Sequence, residues 1–240
     1  VLAPTRPIRA IALFTDFTAV SYYTLHPDAF SPSYLRKLQA RVLACPYFAV
    51  NNLNRDFVGT KGFSLVFRRS HLSQVDAQFP WFMRYLETAL RPDCNAFYLN
   101  PLGLTTGSRV DPHIDRSLRS YCKTVEPPAW VSVLYVVVPD NLQGGELLLQ
   151  RQKKSVAQIR PQRNTLLWFQ GDLTHSVTAV TAGGDRLSLV CEQYNLDAAQ
   201  LEEIPEYTLE TRATEADLAR RAPPRGKRRR ASTPVATALD

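Results

Sequence analysis

A β-rich sandwich or barrel of the jelly-roll kind, with two helices packed outside it, is the architecture predicted by three features of the sequence. Short runs rich in β-branched and aromatic residues follow one another from residue 95 onward, turn signals separate them at regular spacing, and both amphipathic helical patterns lie before them. The class is mostly β with flanking helices, an α+β arrangement. A chain of 240 residues with 45% hydrophobic content is long enough for one substantial core, so one domain with tails is expected.

The first helix is predicted in "SPSYLRKLQARVLACP". Ser31 can cap it, Pro32 suits its first turn, Leu35, Leu38, Val42 and Leu43 recur on one face, and Pro46 marks its end. A second is predicted in "FPWFMRYLETALRP", where Phe79, Phe82, Met83, Leu86 and Leu90 keep helical spacing. Candidate strands are "NAFYL", "WVSVLYVVV", "GELLLQ", "NTLLWF", "HSVTAV" and "RLSLVCEQYNL", with a further strand or hairpin in "NNLNRDFVGTKGFSLVF". Four stretches result: residues 1–94 as a helical and strand segment packing on the barrel, 95–196 as the strand-rich core, 197–219 as a C-terminal extension, and 220–240 as a tail.

Composition narrows the function classes. The chain has no run of eighteen apolar residues, and "VLAPTRPIRAIALF" lacks the features of a secretory signal, so no membrane span is expected. Cys45, Cys94, Cys122 and Cys191 are scattered without a CxxC pair, which argues against a zinc knuckle or disulfide scaffold and for a reducing, cytoplasmic setting. The net charge of +7 is concentrated at the end: residues 220–240 hold seven of the 29 basic residues and one of the 22 acidic ones. That tail is expected to be disordered. Arg228, Arg229 and Arg230 either solubilise it or make a weak nucleic-acid contact; nucleic acid is not expected elsewhere.

The chemistry is carried by a few residues. In an extended segment His113 and Asp115 of "VDPHIDRS" project from one face, as half of a metal site would require, although an ordinary polar turn has the same pattern. Asp111, two residues before His113, competes with Asp115 for that role. His175, at the start of "HSVTAV", is the candidate third ligand; two histidines and one carboxylate suit non-haem Fe(II) with open positions. His26 and His71 have no carboxylate at i+2 and read as surface or core residues. In "GGDRLSL", Arg186 and Ser188 share a strand face, and a guanidinium beside a hydroxyl suits an anionic carboxylate. An ion pair of Arg186 with Asp185 or Glu192 is the competing reading.

Taken in order and spacing, "DPHID", "LYVVVPDNLQGGELLL", "NTLLWFQGDLTHSVTAV" and "GGDRLSL" resemble the catalytic core of Fe(II)- and 2-oxoglutarate-dependent dioxygenases, in the prolyl-hydroxylase-like branch. The resemblance spans about residues 95–196 and implies a double-stranded β-helix (jelly-roll, cupin-like). It implies His113, Asp115 and His175 as iron ligands, Arg186 with Ser188 for the far carboxylate of 2-oxoglutarate, and Tyr98 as a further donor. Fe(II), 2-oxoglutarate and O2 are the implied cofactors, with ascorbate as a candidate reductant. The implied activity is hydroxylation of an unactivated C–H bond in a peptidyl residue or a small molecule, with release of succinate and CO2. Glu192 occupies the position where the nucleic-acid demethylase branch carries a second arginine, which argues against that branch. A metal-holding cupin-like sensor without turnover is the alternative; a zinc hydrolase leaves Arg186 and Ser188 unexplained.

Overall fold

The computed structural model describes residues 21–51 and 55–221. The readings made on residues 1–20 and on the tail beyond residue 221, Arg228 to Arg230 included, lie outside the described residues. The described chain begins with β1 (Tyr23–His26) and α1 (Pro32–Ala44), then β2 (Ala49–Asn51), β3 (Phe57–Val58), β4 (Thr60–Gly62) and β5 (Ser64–Arg68). Helices α2 (Leu72–Gln78) and α3 (Met83–Ala89) follow. The strand-rich part comprises β6 (Ala96–Leu104), β7 (Arg109–His113), β8 (Trp130–Val137), β9 (Leu147–Arg151), β10 (Lys154–Ile159), β11 (Leu166–Gln170), β12 (Thr174–Val177) and β13 (Arg186–Tyr194). It is followed by α4 (Ala198–Glu203), β14 (Tyr207–Glu210) and α5 (Glu215–Arg221).

The strands form two antiparallel sheets facing one another. The larger runs β1-β11-β8-β13-β6-β4-β2, with β5 also paired to β6 and β14 paired to β5; the smaller runs β10-β9-β12-β7-β3. This alternation of consecutive strands between two sheets is the jelly-roll arrangement of a double-stranded β-helix, as predicted. Strand β10 and the pairing of β14 were not part of that prediction.

Side-chain alternation divides the larger sheet into two faces. On β8, Leu134 and Val136 point to the helices while Val131, Val133 and Tyr135 point between the sheets. On β13, Leu187, Leu189 and Cys191 join the helix-side core, so Arg186, Ser188, Val190 and Glu192 fall on the opposite, inner face. The outer face is sealed by Leu35, Leu38 and Val42 of α1 together with Val75, Phe79, Phe82 and Tyr85. Each such buried aliphatic or aromatic side chain contributes about 1.5–3 kcal/mol.

Helix α1 matches its prediction: the Ser31 side chain accepts from the Tyr34 N–H at 3.4 Å, and Pro32 occupies the first turn. Leu43, however, is turned outward and 47% exposed. The second predicted helix is divided. Phe79 sits at φ −134°, ψ 59°, outside the helical region, because the ring of Pro80 disfavours helical backbone in the residue before it. A 3-10 turn (Pro80–Phe82) therefore separates α2 from α3.

Candidate metal centre

The smaller sheet brings the three candidate ligands together. His113 closes β7 and His175 lies on β12, and the two are direct cross-strand partners. Asp115 follows two residues after His113, beyond the end of β7. One nitrogen or oxygen from each of the three side chains lies within 4.8 Å of the others. His113 Nε2 stands 3.1 Å from Asp115 Oδ1, and His175 Nε2 stands 3.4 Å from Asp115 Oδ2.

The other ring nitrogens fix the tautomers. His113 Nδ1 lies 2.8 Å from the Asp111 carbonyl and His175 Nδ1 lies 3.2 Å from the Leu173 carbonyl. A carbonyl only accepts, so each Nδ1 carries the hydrogen and each Nε2 is turned, as a ligand atom, toward Asp115. Asp115 Oδ2 is buried and accepts no hydrogen bond. An orphaned carboxylate oxygen between two imidazoles is a fit for a cation, and the donor set of two nitrogens and one carboxylate suits Fe(II). Asp111 does not compete: its side chain is turned outward, where Arg109 Nε donates to it at 2.9 Å.

The pKa pattern follows from this crowding. Burial opposes charge on His113, but the hydrogen bond and charge of Asp115 outweigh it and raise the imidazole to about 9. Burial likewise opposes charge on Asp115, and the two histidines overcome it, holding the carboxyl well below the usual range. Phe57 packs edge-on against His113 at 5.3 Å between ring centroids, and Phe169 lies 5.0 Å from His175. These rings keep the flanks of the triad apolar.

A cavity of about 310 Å³ opens beside the triad. At one end lies Arg186, 3% exposed, with its guanidinium carbon 4.9 Å from the centre of the Tyr135 ring. Its Nε donates to Ser188 Oγ at 3.3 Å and its Nη1 donates to the Gly145 carbonyl. Neither Asp185 nor Glu192 forms an ion pair with Arg186, and no carboxylate among the described residues lies within salt-bridge distance of it. The Tyr135 hydroxyl is also buried without a hydrogen-bond partner, and burial raises its pKa, so it keeps its proton. Gly144 and Gly145, both at positive φ, form the turn that delivers the Gly145 carbonyl to Arg186.

Tyr98 lines the same cavity, but its hydroxyl is committed elsewhere: it donates to Glu210 Oε2 at 3.3 Å. The tyrosine beside Arg186 is instead Tyr135, which sequence reasoning missed. It lies within the apolar run "VSVLYVVV", where an aromatic residue reads as core, and only its place on the inward face of β8, the face of Val131 and Val133, distinguishes it. Glu192 was also missed as a lining residue. It is 4% exposed, and burial together with the Asp115 charge raises its carboxyl to about 8.

Residues 97–191 match the model of the 2OG-Fe(II) oxygenase superfamily. No curated protein matches the chain. Among solved structures, a prolyl-4-hydroxylase from Pseudomonas putida is 17% identical, with 75% of this chain and 95% of that chain covered at a TM-score of 0.51. A 2OG-Fe(II) oxygenase family oxidoreductase from Burkholderia pseudomallei is 14% identical over 73% of this chain and 86% of that one, at a TM-score of 0.49. A prolyl hydroxylase from Trichoplax adhaerens, in complex with a hypoxia inducible factor oxygen degradation domain peptide fragment, is 16% identical over 73% of this chain and 84% of that one, at 0.46.

Proposed function

We propose, from the match of residues 97–191 to the 2OG-Fe(II) oxygenase superfamily model and from the geometry of the site, an activity for the chain and the residues that perform it. The chain is an Fe(II)- and 2-oxoglutarate-dependent dioxygenase, an enzyme that hydroxylates its substrate with O2. His113, Asp115 and His175 hold the iron. Arg186 and Tyr135, with Ser188 behind the guanidinium, hold the far carboxylate of 2-oxoglutarate. Bound together, the iron and co-substrate supply the oxidising power that replaces a C–H bond with C–O–H, releasing succinate and CO2.

The observation that carries this reading is a buried guanidinium without an acidic partner beside a buried phenol without a hydrogen-bond partner. A guanidinium and a phenol, neither with an acidic partner, face the cavity that the metal triad also faces. Leaving such donors unsatisfied costs free energy, and a carboxylate satisfies both at once. Leu102, Val133, Leu147 and Val177 line the space between, a surface suited to the methylenes of 2-oxoglutarate and to the exclusion of water. The protein's contribution is positioning: Gly145 and Ser188 fix the plane of the guanidinium, and the Asp111 and Leu173 carbonyls fix the rings of His113 and His175.

The substrate is a peptidyl residue or a small molecule. The four cysteines are buried and form no disulfide, which supports a reducing, cytoplasmic setting. No helix among the described residues is long and apolar enough to cross a membrane. The direct test is anaerobic titration of the Fe(II)-loaded protein with 2-oxoglutarate, following the visible charge-transfer band expected of this family, then succinate release on admitting oxygen. Metal binding with neither band nor succinate would leave a cupin-like binder as the better account.

A further inference from the structure

The cavity has a second polar region, distinct from Arg186 and unused by the chemistry above. On β13 the alternation that turns Arg186 inward also turns Glu192 inward, and its cross-strand partner on β6 is Tyr98. Glu210, the last residue of β14, lines the same part of the cavity. Both carboxylates are held by neutral donors. Glu192 accepts from the Ser117 hydroxyl at 2.5 Å, from the Ser117 N–H at 3.3 Å, and from the Tyr194 hydroxyl. Glu210 accepts from the Tyr98 hydroxyl at 3.3 Å and from the Tyr121 hydroxyl.

What these carboxylates lack is a counter-ion. Among the described residues, no lysine, arginine or histidine nitrogen forms a salt bridge with Glu192 or Glu210. The other charges of the lining are accounted for: Asp115 by iron, Arg186 by 2-oxoglutarate, and Asp56 by Arg55 at 3.6 Å. Arg116, the remaining basic lining residue, is exposed. Glu192 is buried and Glu210 half-buried; glutamates are seldom buried unless paired, and five neutral donors fix these two in place without supplying a counter-charge. Such an arrangement is complementary to a cation arriving from outside, and the Tyr98 ring beside it adds a face of matching polarity.

We infer that this part of the cavity seats a cationic group of the substrate, an ammonium or guanidinium, between Glu192 and Glu210, so that the substrate is a lysine-like or arginine-like side chain or amine. The inference rests on the oxygenase reading and names its substrate class. A prolyl substrate, being neutral, would leave both carboxylates unpaired on closing the site.

The experiment uses the full chain loaded with Fe(II) and 2-oxoglutarate in air, with four capped probes: N-acetyl amides of lysine, arginine, norleucine and proline. Substrate-stimulated succinate and a mass gain of one oxygen are read for each. The lysine or arginine probe is expected to exceed norleucine in kcat/KM by about tenfold to a hundredfold, the range for a hydrogen-bonded charge. Because norleucine has a lysine-like chain without the ammonium, the ratio isolates the charge. Glu210→Gln and Glu192→Gln should each shrink that ratio about tenfold or more, and Glu210→Lys should bring it to one or below. A lysine-to-norleucine ratio near one in the wild type, including no stimulation by either, overturns the inference, as does a ratio unmoved by both glutamine variants. Failure of the oxygenase reading looks different: no succinate at all, even uncoupled, from the iron-loaded wild type.

Discussion

Arg186→Ala isolates the co-substrate contact, and the structure gives its size. Arg186 spends its Nε on Ser188 and one Nη1 hydrogen on Gly145, which leaves N–H groups free for a two-point contact with a carboxylate. Two hydrogen bonds to a charged acceptor are worth about 1.5–3 kcal/mol each, hence about 3–6 kcal/mol together. At about 1.4 kcal/mol per decade, the 2-oxoglutarate Kd should weaken by about a hundredfold to ten-thousandfold. A thermal-shift assay on the manganese(II)-loaded protein reads this without turnover. At 100 times its Kd, 2-oxoglutarate stabilises the wild type by about 2.7 kcal/mol. At about 2–4 °C per kcal/mol for a chain of this size, that is a rise in Tm of about 5–11 °C. The same concentration should shift Arg186→Ala by less than about 2 °C, if Kd has moved by two decades or more. Arg186→Lys should recover part of the shift, because it restores charge without the fork. Tyr135→Phe and Ser188→Ala, which each remove one neutral donor, should weaken binding about tenfold or less. Equal shifts in Arg186→Ala and wild type would refute the reasoning, since nothing else in the cavity offers a buried guanidinium.

Three further outcomes follow from the same geometry. Asp115→Ala should abolish metal binding and turnover while Asp111→Ala keeps both, checked by metal content after gel filtration; the reverse result would mean that the turn after β7 is built differently. Metal affinity should depend on pH with a definite sign: a metal takes neutral imidazole, and metal-free His113 is protonated below about 9, so manganese(II) affinity should rise with pH by up to about tenfold per unit and level off above about 9. A flat profile between pH 7 and 8.5 in chelator competition would contradict it. Gly144→Ala should destabilise the protein by about 2–4 kcal/mol in urea unfolding and weaken 2-oxoglutarate binding, because Gly144 sits at φ +77° and an added Cβ would lie 1.9 Å from the Ala179 carbonyl oxygen. An unchanged urea midpoint would mean that the turn relaxes at little cost.

How much of this was legible in the sequence depends on the range of the signal. Arg186 and Ser188 stand at i and i+2 within one strand, so alternation puts them on one face; His113 and Asp115 have the same spacing, but Asp115 lies past the end of β7 and reaches His113 from the segment that follows. Each predicted strand of the core overlaps an observed one for the same reason, with ends off by a few residues: β-branched runs between turn residues are local signals. His175 was legible only as a candidate, because its meeting with His113 is a matter of register between strands far apart in the chain. Glu210 was invisible, since β14 pairs with β5 across most of the chain's length and nothing in "YTLE" encodes that partner. The division of the second helix shows a local signal misjudged: apolar spacing survives through Phe79 and Phe82, but Pro80 prevents the backbone from following it.

The pairing of β14 with β5 has an evolutionary reading. The three proposed iron ligands and Arg186 all lie inside residues 97–191, the segment that matches the family model, whereas Glu192 and Glu210 lie beyond it. On the proposed reading, oxygen activation and the wall that meets the substrate are thus written on separate stretches of one chain. Changing residues 197–210 can remodel that wall with no ligand disturbed, so a lineage carrying this architecture can explore new substrates by drift in a short terminal strand. Grafting that strand from one relative to another is the corresponding route for an engineer.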